Sequence, residues 1–349
     1  MSRPTAFTRL TGIDHPVVLG PFGGLSSVDL TATVSAGGGL GSYGLYGYDG
    51  DRIRATGAAL RARTSNPFAL NLWLPIPGEV EPVPTSAEFA RYVEPLRPYF
   101  AELGLPVPEM PERYLPDLDE QIAATLELRP AVLSVVYGLP APALIAAAHD
   151  AGIVVLGTAT TVAEATALQS AGVDAIVASG AEAGGHRVSF LQPPEDSLIG
   201  LFALLPQVAD AVTVPVVAAG GIADARGVRA ALALGADAVQ VGTAFLATDQ
   251  SAASPAHRAA LRHPNAARTV LTRAFSGRLA RGIPNRVAVE VTDPAPFPVQ
   301  NWLTGQFRPT AAERGNAHLL SLWAGQSAML ATETDAAALL RTLVSAVET

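Results

Sequence analysis

Eight short apolar runs, each bounded by glycine or proline and separated by stretches of helical periodicity, constrain this chain more than any other feature. They lie near residues 16–21, 40–45, 68–74, 131–137, 153–157, 173–178, 214–219 and 237–241. Each is continuous rather than alternating, the pattern of a strand buried on both faces. Helical patterns at 29–36, 52–63, 141–148, 163–170 and 225–234 fall between them, so strand and helix alternate and the sheet is predicted to be parallel. Eight strands suit one closed α/β structure, a TIM (β/α)8 barrel. An open doubly wound sheet is the alternative, but no dinucleotide fingerprint follows the first strand. Local signals agree with the rhythm: Thr161 and Glu164 read as a capping box, and Gly152, Gly172 and Gly235 as C-terminal helix stops.

Two segments break the repeat. Residues 75–117, rich in proline and glutamate with a helical stretch at 87–103, read as an insertion after strand three. Residues 252–349 are too long for a last barrel helix and are interrupted by Pro294, Pro296 and Pro298. The expected division is a barrel over 1–251 and a C-terminal extension over 252–349 folded back across the barrel mouth.

Composition then excludes whole classes of function. A net charge of −8 without a basic cluster disfavours nucleic acid as a partner. The stretch 1–16 carries Arg3, Arg9 and Asp14 without the apolar core of a signal peptide, and no run reaches membrane-spanning length, so a cytoplasmic protein is expected. There is no cysteine, which removes disulfides, iron–sulfur clusters and thiolate nucleophiles. No lysine is present either, so Schiff-base chemistry is excluded. No metal-ligand spacing, paired strand-end carboxylates or Gly-x-Ser-x-Gly elbow appears, leaving metal-dependent and hydrolytic readings unsupported.

The densest chemical signal is VVAAGGIADARGVRAALALGADAVQVGTAFLAT at 216–248. Strand seven ends at Gly220 and Gly221, and strand eight at Gln240, Val241, Gly242 and Thr243. Glycines admit a phosphate close to the backbone, and consecutive strand-end turns of this type form the phosphate site of many barrels. Strand six runs into ASGAEAGGHRVS at 178–189, which sets His186 at the same mouth, where a histidine can serve as a base. Arg187 beside it is a candidate for balancing an anion. His15, His149, His257, His263 and His318 carry less weight. Asn71, an amide inside the apolar strand FALNLWL, needs partners if buried: a ring edge with donors and acceptors supplies them, and so does neighbouring backbone.

With these residues on the page, the chain resembles the nitronate monooxygenases, formerly 2-nitropropane dioxygenases, and their enoyl reductase relatives. The resemblance spans nearly the whole chain and is carried by GPFGG at 20–24, FALNLWLP at 68–75, GAEAGGHR at 180–187, AAGGIAD at 218–224, QVGTAFLAT at 240–248, FSGRLARGIPNR at 275–286 and WAGQ at 323–326. It implies non-covalent FMN, with the phosphate on Gly221 and Gln240 to Thr243. The ring would lie near Phe22, Gly23, Gly24, Asn71, Ser179, Gly184 and Gly185, and His186 beside the reactive face. The implied substrate is an alkyl nitronate or nitroalkane, converted with O2 to a carbonyl compound and nitrite.

Three places depart from the family pattern: Ser179 where glutamine is usual, Val188-Ser189-Phe190 where glycine is common, and Phe297 where tyrosine is frequent. Without lysine, Arg187, Arg278, Arg281 or a helix N-terminus are left to balance an anion. An FMN-dependent NAD(P)H enoyl-type reductase and an inert flavin-binding protein are the alternatives. A nucleotide dehydrogenase of the inosine-phosphate type is excluded by the missing cysteine.

Overall fold

The computed structural model describes residues 4–79 and 82–347. Arg3, and residues 80 and 81 of the insertion, lie outside the described residues. The eight expected strands are β1 (Val17–Leu19), β2 (Gly41–Gly44), β3 (Phe68–Trp73), β4 (Val132–Val136), β5 (Val154–Ala159), β6 (Ala175–Ser179), β7 (Val216–Ala219) and β8 (Ala238–Val241). Neighbours pair in parallel from β2 through to β8, β8 returns to β1 with Val17 opposite Val239, and a single bridge between Val18 and Leu40 joins β1 to β2. The sheet is thus a TIM barrel.

The continuity of the apolar runs has a direct structural cause. Val18, Ala69, Val132, Leu156, Val177, Val217 and Ala238 belong to one buried cluster, joined by Phe7 from the N-terminal helix Ala6–Thr11. Their chain neighbours Val17, Leu70, Leu133, Val155, Ile176, Val216 and Val239 belong to the larger cluster shared with the helices. Successive side chains point to opposite faces of a strand, and in a barrel both faces are covered.

The surrounding helices are α1 (Val28–Ala36), α2 (Gly50–Arg63), α3 (Leu118–Leu128), α4 (Pro142–Asp150), α5 (Val162–Ser170), α6 (Leu201–Ala211), α7 (Ala225–Ala233) and α8 (Ala336–Val344). Gly152, Gly172 and Gly235 follow α4, α5 and α7 with φ of 73°, 95° and 100°, the left-handed turn that stops a helix there. The eighth helix comes from the end of the tail: α8 packs against α1, α7 and β1.

The expected capping box at Thr161 is only half formed. Thr161 accepts from Glu164 N, but the Glu164 carboxylate turns to Thr160 N and Oγ1, both at 2.6 Å, and to Phe190 N at 2.7 Å. Burial explains the diversion, because Glu164 is fully buried and a carboxylate there needs several donors. A complete box stands instead in the insertion, at Thr85 and Glu88.

That insertion forms short helices at Ser86–Val93 and Arg97–Glu102 and packs onto the tail. Phe100 meets Phe307 edge-on at 5.4 Å, Tyr114 meets Trp302 at 5.8 Å, and Tyr99 donates to Glu290 at 2.8 Å. The tail also adds a small antiparallel sheet, in which Val270–Thr272 pairs with Ala280–Gly282 and the latter with Gly185–His186. Among the described residues no helix is long and apolar enough to cross a membrane.

Candidate active site

A cavity of about 530 Å3 opens at the C-terminal ends of the strands, the end at which barrels carry their chemistry. Its walls come from the loops after β1, β2, β3, β6, β7 and β8 and from the tail. On one side the backbone is bare. Gly220 and Gly221 have φ of 105° and 72°, and a Cβ on Gly220 would sit 3.1 Å from Ala183 N, so the turn after β7 admits only glycine without strain. Thr243, at the start of the short helix after β8, accepts Gly325 N at 2.9 Å, and Glu182 O, in the loop after β6, accepts Gln326 N at 2.9 Å. These bonds tie the tail to the loops after β8 and β6.

His186 also lines the cavity, its short strand held by the pairing of His186 with Ala280 and of Gly185 with Arg281. Its ring packs edge-on against Trp73 at 4.9 Å and Trp323 at 5.3 Å. Ser276 Oγ stands 2.9 Å from His186 Nε2 and donates its proton to the Arg278 carbonyl at 3.1 Å. A hydroxyl has one proton, so Nε2 is the donor in the first contact and the imidazole lone pair is left on Nδ1. Burial, and then the nearby Arg278 and Arg308 cations, push the His186 pKa down from 6.5 to about 3. The ring is neutral at neutral pH.

The family model for nitronate monooxygenase matches residues 4–346. The chain belongs to the nitronate monooxygenase family. A nitronate monooxygenase of Pseudomonas aeruginosa is 43% identical over 346 residues, covering 97% of each chain. A probable nitronate monooxygenase of Staphylococcus aureus is 37% identical over 97% of this chain and 96% of that one. The crystal structure of a nitroalkane oxidase from Streptomyces ansochromogenes superposes with a TM-score of 0.89 at 38% identity, covering 99% of this chain and 98% of the other.

In this nitronate monooxygenase family enzyme the cavity brings together Phe22, Gly23, Gly24, Asn71, Ser179, Gly184, Gly185, His186, Gly221, Gln240, Gly242 and Thr243. Val241 is not among them: its side chain is fully buried in the outer core, and its carbonyl accepts Gly20 N at 2.9 Å. Asn71 uses its amide donors on Ser134, with O at 3.2 Å and Oγ at 3.1 Å, so neighbouring backbone does take part. Its amide oxygen has no hydrogen-bond partner among the described residues.

None of the three expected arginines lines this cavity. Arg187 donates to Ser179 O at 2.6 Å, Thr160 O at 3.2 Å and the Ser197 hydroxyl and carbonyl, which makes it a bolt across the ends of β5 and β6. Arg278 pairs with Glu79 of the insertion and stacks on Phe297 at 3.9 Å and Tyr137 at 4.2 Å. Together with Arg187 it borders a separate, smaller cavity of about 350 Å3. Arg281 donates to Ala181 O at 2.9 Å and Thr269 Oγ1 at 3.1 Å. The arginine that does line the main cavity is Arg308, in a tail helix for which no motif spoke.

Three further lining residues were given no role from the sequence. Tyr46, after β2, lies 4.3 Å from Trp73 and accepts Asn301 Nδ2 at 2.9 Å. His257 donates through Nε2 to the Trp323 carbonyl at 3.1 Å, and burial takes its pKa down to about 4. Glu182 accepts Leu201 N at 2.9 Å, so its charge is set on the first turn of α6 rather than left bare in the cavity.

Proposed function

We propose that this chain is an FMN-dependent nitronate monooxygenase that converts alkyl nitronates, and nitroalkanes after deprotonation, with O2 to a carbonyl compound and nitrite. The observation that carries the reading is His186: a neutral imidazole fixed between two tryptophans, with one nitrogen engaged by Ser276 and the other free to accept a proton.

The residues present suit FMN. The cavity volume is in the range of cofactor pockets, and no Cβ intervenes between the backbone of Gly220, Gly221 or Gly242 and a phosphate. The unpartnered Asn71 oxygen offers an acceptor to a ring N–H, and Phe22, Gly184 and Gly185 supply apolar and glycine surface for a flat ring. Bound there, FMN supplies the electron transfer that histidine, serine, arginine and aromatic side chains lack.

The protein's own part is binding, orientation and proton handling. Trp73, Trp323 and Val188 exclude water around His186, which raises the strength of any charge interaction made there. A neutral nitroalkane arriving beside Nδ1 gives up its α-proton to that lone pair. The nitronate anion then formed stabilises the imidazolium that burial alone disfavours. A preformed nitronate needs no base, and the histidine only orients it.

The test is anaerobic addition of an alkyl nitronate, and separately of NADPH, to the purified yellow holoenzyme. Flavin reduction by the nitronate followed by nitrite release in air is expected. Bleaching by NADPH alone moves the protein to the reductases. In His186→Asn, FMN content is expected to hold while turnover of neutral nitroalkanes falls by about 100-fold or more, against a much smaller loss with preformed nitronates. Equal losses on both substrates reject the base assignment.

A further inference from the structure

Arg308 is a cation without an anion. Its Nη1 donates to Ser321 Oγ at 3.1 Å, and its Nη2 to the carbonyl and side-chain oxygens of Asn301, both at 3.2 Å. All three acceptors are neutral. No carboxylate lies within 4.0 Å of it among the described residues, whereas Arg278, also packed beneath the mouth, is paired with Glu79. Arg308 Nε is buried and has no hydrogen-bond partner.

The surroundings explain why this matters. A buried guanidinium keeps its charge, since even the depressed pKa of about 10 leaves it protonated at neutral pH. Such a charge is costly unless an anion reaches it. The acid on the cavity wall, Glu182, is already bound to Leu201 N. Arg308 meanwhile shares the wall with His186 and Tyr46, and Asn301 ties it to Tyr46 through the 2.9 Å bond to the phenol.

We propose that Arg308 is the anion receptor of the main cavity, taking an oxygen of a planar oxyanion through its charge and its free Nη1 N–H and so selecting anionic over neutral ligands. On the function given above, that oxyanion is the nitronate group of the substrate. Ser321 and Asn301 are positioning residues, which hold the guanidinium plane while leaving one Nη1 N–H for the ligand.

Nitrate, a planar oxyanion of similar shape that is inert as a substrate, is the probe. Titrated into the FMN-loaded wild type, it is expected to give a saturable change in the flavin spectrum and to compete with the nitronate in turnover, while acetamide, a neutral planar molecule of similar size that is not a substrate, does not compete. Arg308→Met is expected to keep its FMN and weaken nitrate binding by about 10- to 100-fold, the worth of one charge-assisted hydrogen bond. Arg308→Lys, which keeps the charge and loses the fork, falls between the two.

Unchanged nitrate affinity in Arg308→Met overturns the assignment. If that variant does not fold, absence of nitrate competition in the wild type overturns it equally. The two readings fail separately. Arg308-dependent nitrate binding without nitronate oxidation leaves the receptor standing and removes the function, and nitronate oxidation indifferent to Arg308 does the reverse.

Discussion

The cavity has two halves built on different principles, the barrel's strand-end loops and the C-terminal tail. The barrel half offers backbone: Gly220, Gly221 and Gly242, with Asn71 and Phe22, each placed in or just after a barrel strand. The tail half offers side chains: Ser276 against His186, Trp323 against the same ring, and Arg308 pinned by Ser321 and Asn301. A strand end fixes a loop through the barrel's repeating hydrogen-bond ladder, whereas the tail is held by a short pairing with Gly185–His186, a few isolated hydrogen bonds and packing. On the proposed function, the barrel offers the place for the cofactor, and the tail shapes the chemistry done beside it.

If both halves contribute, acid should reveal it, and this is the largest effect expected. His186, on the barrel side, and His257, in the tail, are held at about 3 and about 4 against an ordinary 6.5. Unfolded, both bind protons below 6.5, so the folded state loses stability as pH falls through 6.5 and goes on losing it until the folded values are passed. Melting temperature measured from pH 7 downwards should drop steadily, less steeply in His257→Gln and again in His186→Asn. A curve unchanged by both substitutions breaks the argument.

The barrel-side anchor comes next. Arg187→Met strips donors from the carbonyls of Ser179, Thr160 and Ser197, and should cost about 3 kcal/mol in denaturant unfolding. The junction between the halves is tested by Gly184→Ala. Its Cβ would lie 2.5 Å from Gly325 N and 2.6 Å from Ala324 C, so the tail must shift, at a cost of about 2 kcal/mol. Faster proteolysis of the tail with an intact barrel core is the expected signature, and uniform destabilisation would mean the halves unfold as one. The smallest effect belongs to Asp335→Ala, which removes the N-cap bond to Ala338 N at 2.8 Å and should cost about 1 kcal/mol. Because α8 completes the barrel ring, even this loss should appear in the global transition rather than as local fraying of the tail.

The fold was legible because barrel strands obey a local rule. Burial on both faces writes a continuous apolar run for each of them, and all eight runs became strands. His186 and the glycine turns were legible for the same reason, since residues that follow a strand end stand at the mouth. Arg187 shows the limit: its sequence position beside His186 suggested a charge for the ligand, but side chains of adjacent strand residues point to opposite faces, and the guanidinium went to the carbonyls behind. The Thr161–Glu164 box failed similarly, because a buried carboxylate found stronger claims on it than its own N-cap.

The sequence by itself determined the strand count, the barrel, the phosphate-type turns and the histidine at the mouth, all of which depend on periodicity or on residues within one loop. Only the tertiary structure decided that Trp323, His257 and Arg308 share the cavity, that Ser276 backs His186 and that α8 closes the barrel ring. Those contacts join segments far apart in the chain through packing and charge, and neither force leaves a local mark in the order of the amino acids.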